Sequence, residues 1–459
     1  MVRRPPYGAA LAVLASAMLS ACGTPSAARS RNVVIITLDT TRADFLGVYA
    51  AGRQATPVLD RFAASSAVFD DAVTVAPLTL PSHCSLFTGL LPPQHGVRDN
   101  ADSPLRPRHP TLAGMLRDRG FETGAFVAST VLAADRGLAR GFTTYRETSA
   151  QAGPPARRSR CADAVIDEAL GWLETHRRAP YFLWVHLYDP HAPYDAPEPF
   201  AARFAGEPYA AEIAFMDAQL GRLLERIDPS RTIIVIAADH GESLGSHGEA
   251  EHGFALYQPA LHVPLIVRAP ALAPQRVAGV VRLVDVMPTV LELLGVSSVP
   301  EIDGVSLLPL LHGERMELEA YAESLYPLRS GQPPVRSLRS GRYKLIASGE
   351  QELYDLREDP YERRNLRDER RVLLQAMTRR LATFDRTTGS GASPVLRPIA
   401  PDLRERLAAL GYVAPAPKSP IDHRIPSPAF PQSIANRQFR NSPSPPAGMP
   451  SARPSRRSE

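Results

Sequence analysis

From Asn32 onward the chain alternates two apolar patterns. Unbroken runs of Val, Ile, Leu and aromatic residues, "NVVIITL" (32–38), "ETGAFVAS" (122–129), "YFLWVHLYD" (181–189), "TIIVIAADH" (232–240) and "VPLIVRAP" (263–270), read as strands covered on both faces. Between them lie segments of helical period. "ATPVLDRFAASSAVF" (55–69) has Thr56 as N-cap and Pro57 at the first helical position. "TLAGMLRDRG" (111–120) closes on a glycine, and "CADAVIDEALGWLETH" (161–176), "AEIAFMDAQLGRLLERI" (211–227) and "MPTVLELLGV" (287–296) follow. Strands alternating with helices predict an α/β fold with a large, mostly parallel central sheet flanked by helices, over residues 32–310. Beyond Leu311 the pattern changes. "LRSGRYKLIAS" and "EQELYDLREDP" suggest short antiparallel strands around turns, and "ERRVLLQAMTRRLATF" suggests a helix. These predict a smaller C-terminal α+β subdomain over 311–413.

Three of the buried runs end in polar residues. The first leads into Asp39, the 232–238 run into Asp239-His240-Gly241-Glu242, and the 181–187 run into Asp189-Pro190-His191. A parallel sheet gathers its carboxyl ends along one edge, where open α/β folds place their ligand sites. Acidic groups brought together there repel one another unless a cation lies between them. Oxygen and imidazole donors suit Ca, Mg, Mn or Zn without choosing among them. The plainer alternative for each residue is a helix cap or a turn.

Charge adds little to this picture. The chain of 459 residues carries a net +4, but residues 414–459, rich in Pro, Ser and Arg, hold seven Lys or Arg against two acidic groups. The basicity belongs to that tail, expected to be disordered, so it does not argue for a nucleic-acid groove. At the other end, Arg3 and Arg4 precede a short apolar stretch, Ala9–Ser20, too short to span a bilayer. "LSAC" closes it and resembles a lipobox. It implies a signal peptide over 1–21, lipid on Cys22, a short linker over 22–31 and an exported, periplasmic protein anchored in a membrane. Gly23 after the cysteine leans the expectation to the outer membrane. Cys84 and Cys161 imply no disulfide framework and are expected to be free or buried.

Taken together, "NVVIITLDTTRADFLGVY", "LTLPSHCSLFTGLLPPQHGV", "YFLWVHLYDPHAPY", "IAADHGESLGSHGEAEHG" and "ELYDLREDPYERRNL" resemble the sulfatase family of the alkaline phosphatase superfamily, from about Asn32 to Leu366. The resemblance implies a large α/β sandwich with a smaller C-terminal sheet. It places Asp39, Asp239 and His240 on metal-binding positions for one divalent ion, and His191 on a histidine set against the ester's anionic oxygens. His252, or else His247, lies near a substrate-binding lysine. The chain also departs from the pattern. Thr40 stands where sulfatases have a second Asp. In "TLPSHCSLFTG" the nucleophile position is Thr79 and the following Arg is His83.

Sulfatases oxidise a Cys or Ser at that nucleophile position to formylglycine, and threonine cannot yield the same aldehyde. In related phosphotransferases and phosphodiesterases of the superfamily threonine is the nucleophile, with its oxygen on the metal. The resemblance thus implies a hydrolase or transferase on an anionic phosphate or sulfate ester, with the threonine favouring phosphorus and an arylsulfatase-like activity as the alternative. The catalytic candidates are Thr79, His83 and His191. Two other readings stay open: Thr79 as the cap of a helix starting near Pro81, and a non-catalytic lipoprotein that binds a metal and an anion.

Overall fold

A computed structural model describes residues 32–147, 161–270, 272–297, 300–389 and 398–409. Cys22 and the 414–459 tail lie outside the described residues. No helix among the described residues is long and apolar enough to cross a membrane.

Eight strands form the large sheet: β1 (Asn32–Leu38), β2 (Ala67–Val73), β3 (Glu122–Val127), β4 (Thr144–Arg146), β5 (Tyr181–Leu187), β6 (Thr232–Ala238), β7 (His262–Arg268) and β8 (Gln275–Arg282). Their order is β4-β3-β5-β1-β6-β7-β2-β8. Only β7 runs against its neighbours; every other pairing is parallel. The central strands β1, β5 and β6 are buried at every position, as their unbroken apolar runs require. Helix Ala162–His176 packs on β3 and β5 through its apolar stripe, and helix Pro208–Leu224 packs on that helix. The C-terminal part holds a separate antiparallel sheet of β9 (Glu319–Ser324), β10 (Val335–Ser340), β11 (Tyr343–Ala347) and β12 (Gln351–Asp355), order β12-β11-β10-β9. Helix Arg371–Thr388 lies over it, with Met377 and Leu381 buried.

One expectation needs correction. The helix predicted over 55–69 is Pro57–Ala63 only, and "AVF" already belongs to β2. The hydroxyls of Ser65 and Ser66 both donate to Phe62 O, drawing the chain out of the helix before the β-branched and aromatic run begins. Strands β8 and β9 carry mixed polar and apolar positions and gave no clear sequence signal. Neither Cys84 nor Cys161 is in a disulfide, in line with the expectation; Cys84 is buried and Cys161 exposed.

Candidate active site

The sheet register assembles the first part of the site. Leu38 of β1 pairs with Ala238 of β6, so the next residues, Asp39 and Asp239, leave adjacent strands side by side. The neighbour on the other flank is β5, where His186 lies opposite Thr37. After Asp39 the chain turns sharply through Thr40, whose φ is +49°. The turn is pinned by Tyr209, whose hydroxyl donates to Thr40 O at 2.6 Å and accepts from Arg42 N–H at 3.0 Å. Arg42 is held by Asp44 and donates to Glu242 O at 3.2 Å, tying the β1 turn to the β6 turn. Gly241 is required in that second turn, because a Cβ there would sit 2.0 Å from Pro259 O.

Helix Thr79–Thr88 supplies the next group. Thr79 is its first residue; the cap position is Leu78, with no side-chain hydrogen bond. Thr79 Oγ1 therefore has no capping role. It lies 3.5 Å from Asp39 Oδ2 and 3.3 Å from His240 Nε2. Beside it, Asn100 accepts the Leu80 N–H through Oδ1 at 2.9 Å, which leaves a buried Nδ2 with no partner.

Ligand atoms of Asp39, Asp239 and His240 lie within 4.8 Å of one another, close enough for one cation at metal–oxygen and metal–nitrogen bonds of about 2.0–2.6 Å. The donors also fit one. Asp39 Oδ1 and Asp239 Oδ2 are buried with no hydrogen-bond partner. Burial pushes both carboxyls above their ordinary range, and for Asp239 the neighbouring Asp39 adds to the effect. His240 donates through Nδ1 to Gly241 O at 2.9 Å, so its Nε2 turns a lone pair towards the two carboxylates. Burial disfavours charge on His240, but Asp239 and Asp39 outweigh it and raise its pKa.

A second grouping, His83, His186 and Asp239, is as compact but chemically unsuited to a metal. His186 accepts the Ala128 N–H at Nδ1, so its Nε2 carries the proton and donates to Asp39 Oδ2 at 3.1 Å. His83 donates from Nδ1 to Thr79 O at 2.8 Å and accepts from the Thr37 hydroxyl at Nε2. Neither ring has a lone pair left over. Burial drives their pKa values down, to about 4 for His186 and about 3 for His83, so both are neutral.

The remaining predicted histidines separate. His191 stacks on Tyr188 at 4.4 Å and donates from Nδ1 to Ala192 O, which turns Nε2 the other way. His252 meets His191 edge-on at 5.2 Å, and its ring lies 4.5 Å from that of His240. Its Nδ1 is 3.1 Å from Glu242 Oε1. Gly253 follows at φ +108°, a backbone state that lets the "EHG" turn fold over the site. His247 is absent from this group: it is exposed, stacks on Tyr257 at 3.7 Å and bonds Tyr361 O at 3.1 Å. His83 also stands apart from its predicted role. It is fully buried behind Thr79, against Trp184 and Phe87. Asp189 accepts the Ala162 N–H at the start of a helix and takes no part in the acidic cluster. Three site residues had no reading of their own in the sequence: His186, Glu242 and Asn100. His186 interrupts the apolar run "YFLWVHL", which was the available signal.

Five strands in parallel, two carboxylates and an imidazole at their carboxyl ends, and a hydroxyl at a helix start define an ester hydrolase of the alkaline phosphatase type. The chain belongs to the sulfatase family, whose pattern matches residues 31–296. Residues 245–386 match the C-terminal domain of N-sulphoglucosamine sulphohydrolase. Among relatives, the Delta 4,5-hexuronate-2-O-sulfatase of Bacteroides thetaiotaomicron is 26% identical, over 76% of this chain and 87% of that protein. The choline-sulfatase of Rhizobium meliloti is also 26% identical, over 73% and 82%. Among solved structures, the phosphonate monoester hydrolase of Agrobacterium radiobacter superposes with a TM-score of 0.67 at 20% identity, over 78% of this chain and 96% of that one. A 2-O GAG sulfatase superposes with 0.67 at 23%, over 82% and 96%. At these identities the superpositions establish the fold.

Proposed function

We propose that this protein is a metal-dependent phosphodiester or phosphonate-ester hydrolase, or a transferase of the same chemistry, acting in the bacterial cell envelope with Thr79 as nucleophile. The observation that carries the reading is the Thr79 hydroxyl between Asp39 and His240, in the place sulfatases give to their formylglycine precursor. One divalent cation held by Asp39, Asp239, His240 and Thr79 would supply positive charge that lowers the proton affinity of the hydroxyl and offsets the ester's anionic charge. The Thr79 hydroxyl loses its proton to solvent as its oxygen attacks phosphorus and the bond from phosphorus to the ester's leaving oxygen breaks. Water or another alcohol then attacks the phosphothreonine, the phosphorus–Thr79 bond breaks, and Thr79 takes a proton back. His186 holds Asp39 in place through its Nε2–H. Asn100, His191 and His252 would then meet the ester's oxygens. His83 fixes the first turn of the nucleophile helix instead of binding the anion.

The arginines tied to the segments around Asp39 and Asn100 argue for a singly charged ester. Arg42 is paired with Asp44, Arg98 with Glu323 and Arg329 with Asp99. A dianionic phosphomonoester would find less compensation than a phosphodiester or phosphonate monoester. A sulfate ester is also singly charged, and the named activities of the relatives make a sulfuric ester hydrolase the second reading. The test is turnover of p-nitrophenyl phosphodiester, phosphonate monoester, phosphate and sulfate, each with Ca, Mg, Mn and Zn and after chelation. The proposal expects metal-dependent turnover with one of the first two substrates leading. Turnover led by the sulfate would favour the second reading, and no turnover of any ester would defeat both. The envelope assignment rests on the signal peptide read in residues 1–21 and the lipobox that ends at Cys22. Loss of membrane partitioning on Cys22→Ala is its expected signature, and unchanged partitioning would overturn it.

A further inference from the structure

Lys344 of β11 and Glu362 form a buried ion pair that the chemistry above does not use, with Lys344 Nζ 2.6 Å from Glu362 Oε1. A buried pair of this kind is often no more stabilising than apolar residues of like volume, so stability alone does not account for it. Its contacts supply another reason. Glu362 Oε2 accepts the Gln258 N–H at 2.6 Å, and Gln258 Oε1 accepts from Lys344 at 3.4 Å. Gln258 opens the one-turn helix Gln258–Leu261. The residue before it is held as well. The Tyr257 hydroxyl donates to Glu352 Oε2 of β12 at 2.9 Å, and its ring stacks on His247, which bonds Tyr361 O next to Glu362. The following carbonyls meet the turn after β6. Ala260 O accepts the Gly241 N–H at 2.9 Å, and Pro259 O leaves no room for a Cβ on Gly241. Gly241 O in turn accepts from His240 Nδ1 at 2.9 Å, the bond that turns Nε2 towards Asp39 and Asp239. Backbone strain groups Glu362 with the same region. Among the described residues four non-glycine positions have positive φ: Thr40, Leu244 and His247 lie in the turns after β1 and β6, and Glu362, at +55°, is the fourth. Strain of this sort persists where the surroundings over-determine a conformation, and it collects at functional sites.

We infer that Glu362 is a positioning residue for His240: through Gln258 and Gly241, the C-terminal sheet sets the direction of the His240 lone pair, and with it the affinity of Asp39, Asp239 and His240 for a divalent cation. The inference rests on the metal site proposed above and deepens it. Lys344 keeps Glu362 charged in a buried place, and a charged acceptor holds the Gln258 N–H more firmly than a neutral one. From there each step is a main-chain contact in a close-packed interior, where a displacement is passed on instead of absorbed. The last step fixes a ring. The partner of a ligating histidine's second nitrogen orients the first, and its loss typically costs about 10–100-fold in metal affinity. Glu362 acts further out than Gly241 O, so its share belongs at the lower end of that range. The C-terminal part thereby does more than cover the large sheet: it sets one ligand of the cation from outside the strands that carry the ligands.

Metal affinity tests this without recourse to turnover. The probe is whichever of Ca, Mg, Mn and Zn raises the melting temperature of the wild-type protein most, titrated by calorimetry into the metal-free full chain. Removing one member of the ion pair would strand the charge of the other, so both are changed together. In Lys344→Met/Glu362→Gln the glutamine keeps an oxygen for the Gln258 N–H. In Lys344→Met/Glu362→Met that acceptor is gone. Glu362→Asp keeps the charge, draws the acceptor back by one methylene and suits a positive φ. Positioning predicts that Lys344→Met/Glu362→Met weakens the Kd by about tenfold and Glu362→Asp weakens it in the same direction, while Lys344→Met/Glu362→Gln stays within about threefold of wild type. Melting temperatures of the metal-free variants separate this from a packing role, which would lower stability and leave the Kd alone. Wild-type affinity in Lys344→Met/Glu362→Met, or equal weakening in the two double variants, would overturn the inference and leave the metal site standing. If Lys344→Met/Glu362→Met does not fold, Glu362→Asp decides, and an unchanged Kd there overturns it. A wild-type protein that binds none of the four ions would sink the metal site and the inference together.

Discussion

Glu323 and Asp39 are both carboxylates with no solvent exposure, set in opposite surroundings. Glu323 receives Arg98 through two parallel hydrogen bonds, Nε to Oε1 at 2.6 Å and a second to Oε2, and the Tyr321 hydroxyl at 2.7 Å. Asp39 receives one neutral histidine and the Thr79 hydroxyl, has an Oδ1 with no partner, and sits beside a second carboxylate in the same condition. Leaving a buried charged acceptor unpaired costs several kcal/mol. A fold that does so twice within 4.8 Å is incomplete by itself. Glu323 is a joint between the two sheets, since its N–H also bonds Val75 O. The acidic pair at Asp39 and Asp239 is a socket. The difference teaches that burial of charge does not mark function; burial of charge without partners does.

The comparison breaks most sharply at Thr79. Thr79→Ala removes the proposed attacking atom and leaves the carboxylates and His240 in place. Turnover on the best ester should fall by roughly four orders of magnitude or more, against about 10²–10³ for loss of one oxyanion donor such as Asn100→Ala. Metal content by elemental analysis should stay near that of wild type. Wild-type turnover in Thr79→Ala would mean that the socket activates water directly.

How far this was legible in the sequence differs between the two clusters. Asp39, Asp239 and His240 end long apolar runs, and parallel register forces such ends together, so the candidate metal group was readable. Thr79 and its departure from the sulfatase pattern were readable from one short motif. His186, Glu242 and Asn100 were not, because their roles depend on which ring nitrogen or amide atom faces a neighbour, and sequence carries no such information. The choice between His247 and His252 failed for a similar reason: five residues apart in a glycine-rich loop, they diverge at Gly248 and Gly253, both at positive φ. The Arg98–Glu323 joint spans 225 positions and left no local trace.

At that joint the expected effect is on stability. Arg98→Ala leaves Glu323 buried and uncompensated and should cost about 3–5 kcal/mol. Chemical denaturation should give the same loss with and without divalent metal. A loss that disappears on adding metal would mean that the joint belongs to the socket.

The socket should behave in the opposite way. A ligand that binds only the folded state stabilises it by about 2.7 kcal/mol at a hundredfold excess over its Kd. Melting temperature should therefore rise with divalent metal and fall on chelation. Asp239→Asn should remove most of that rise while changing the metal-free melting temperature little or upward, because one of two repelling carboxylates is gone. An undiminished metal-dependent rise in Asp239→Asn would show that the ion binds elsewhere.

Glu212 lies between the two extremes. Its residue is only 5% exposed, and Oε1 accepts the Asp195 N–H, a single main-chain donor where Glu323 has an arginine and a tyrosine. Burial pushes its pKa from 4.5 up to about 8, with Asp189 adding to the rise. A carboxyl whose pKa is raised on folding binds its proton more tightly in the folded state, so the sign is fixed. The contribution of Glu212 is fully present below about pH 4.5 and declines as pH climbs towards about 8. Partial access to solvent screens the effect, so the loss expected across that window is about 1–2 kcal/mol, less than the full shift would give. Glu212→Gln, which keeps an oxygen for the Asp195 N–H and cannot ionise, should flatten this part of the stability–pH curve. Its advantage over wild type should be larger at pH 8 than at pH 5, measured by denaturant midpoints in metal-free buffer. A Gln variant that loses stability equally at both pH values would show that partners hold Glu212 ionised, and would move it from the unsatisfied class to the satisfied one.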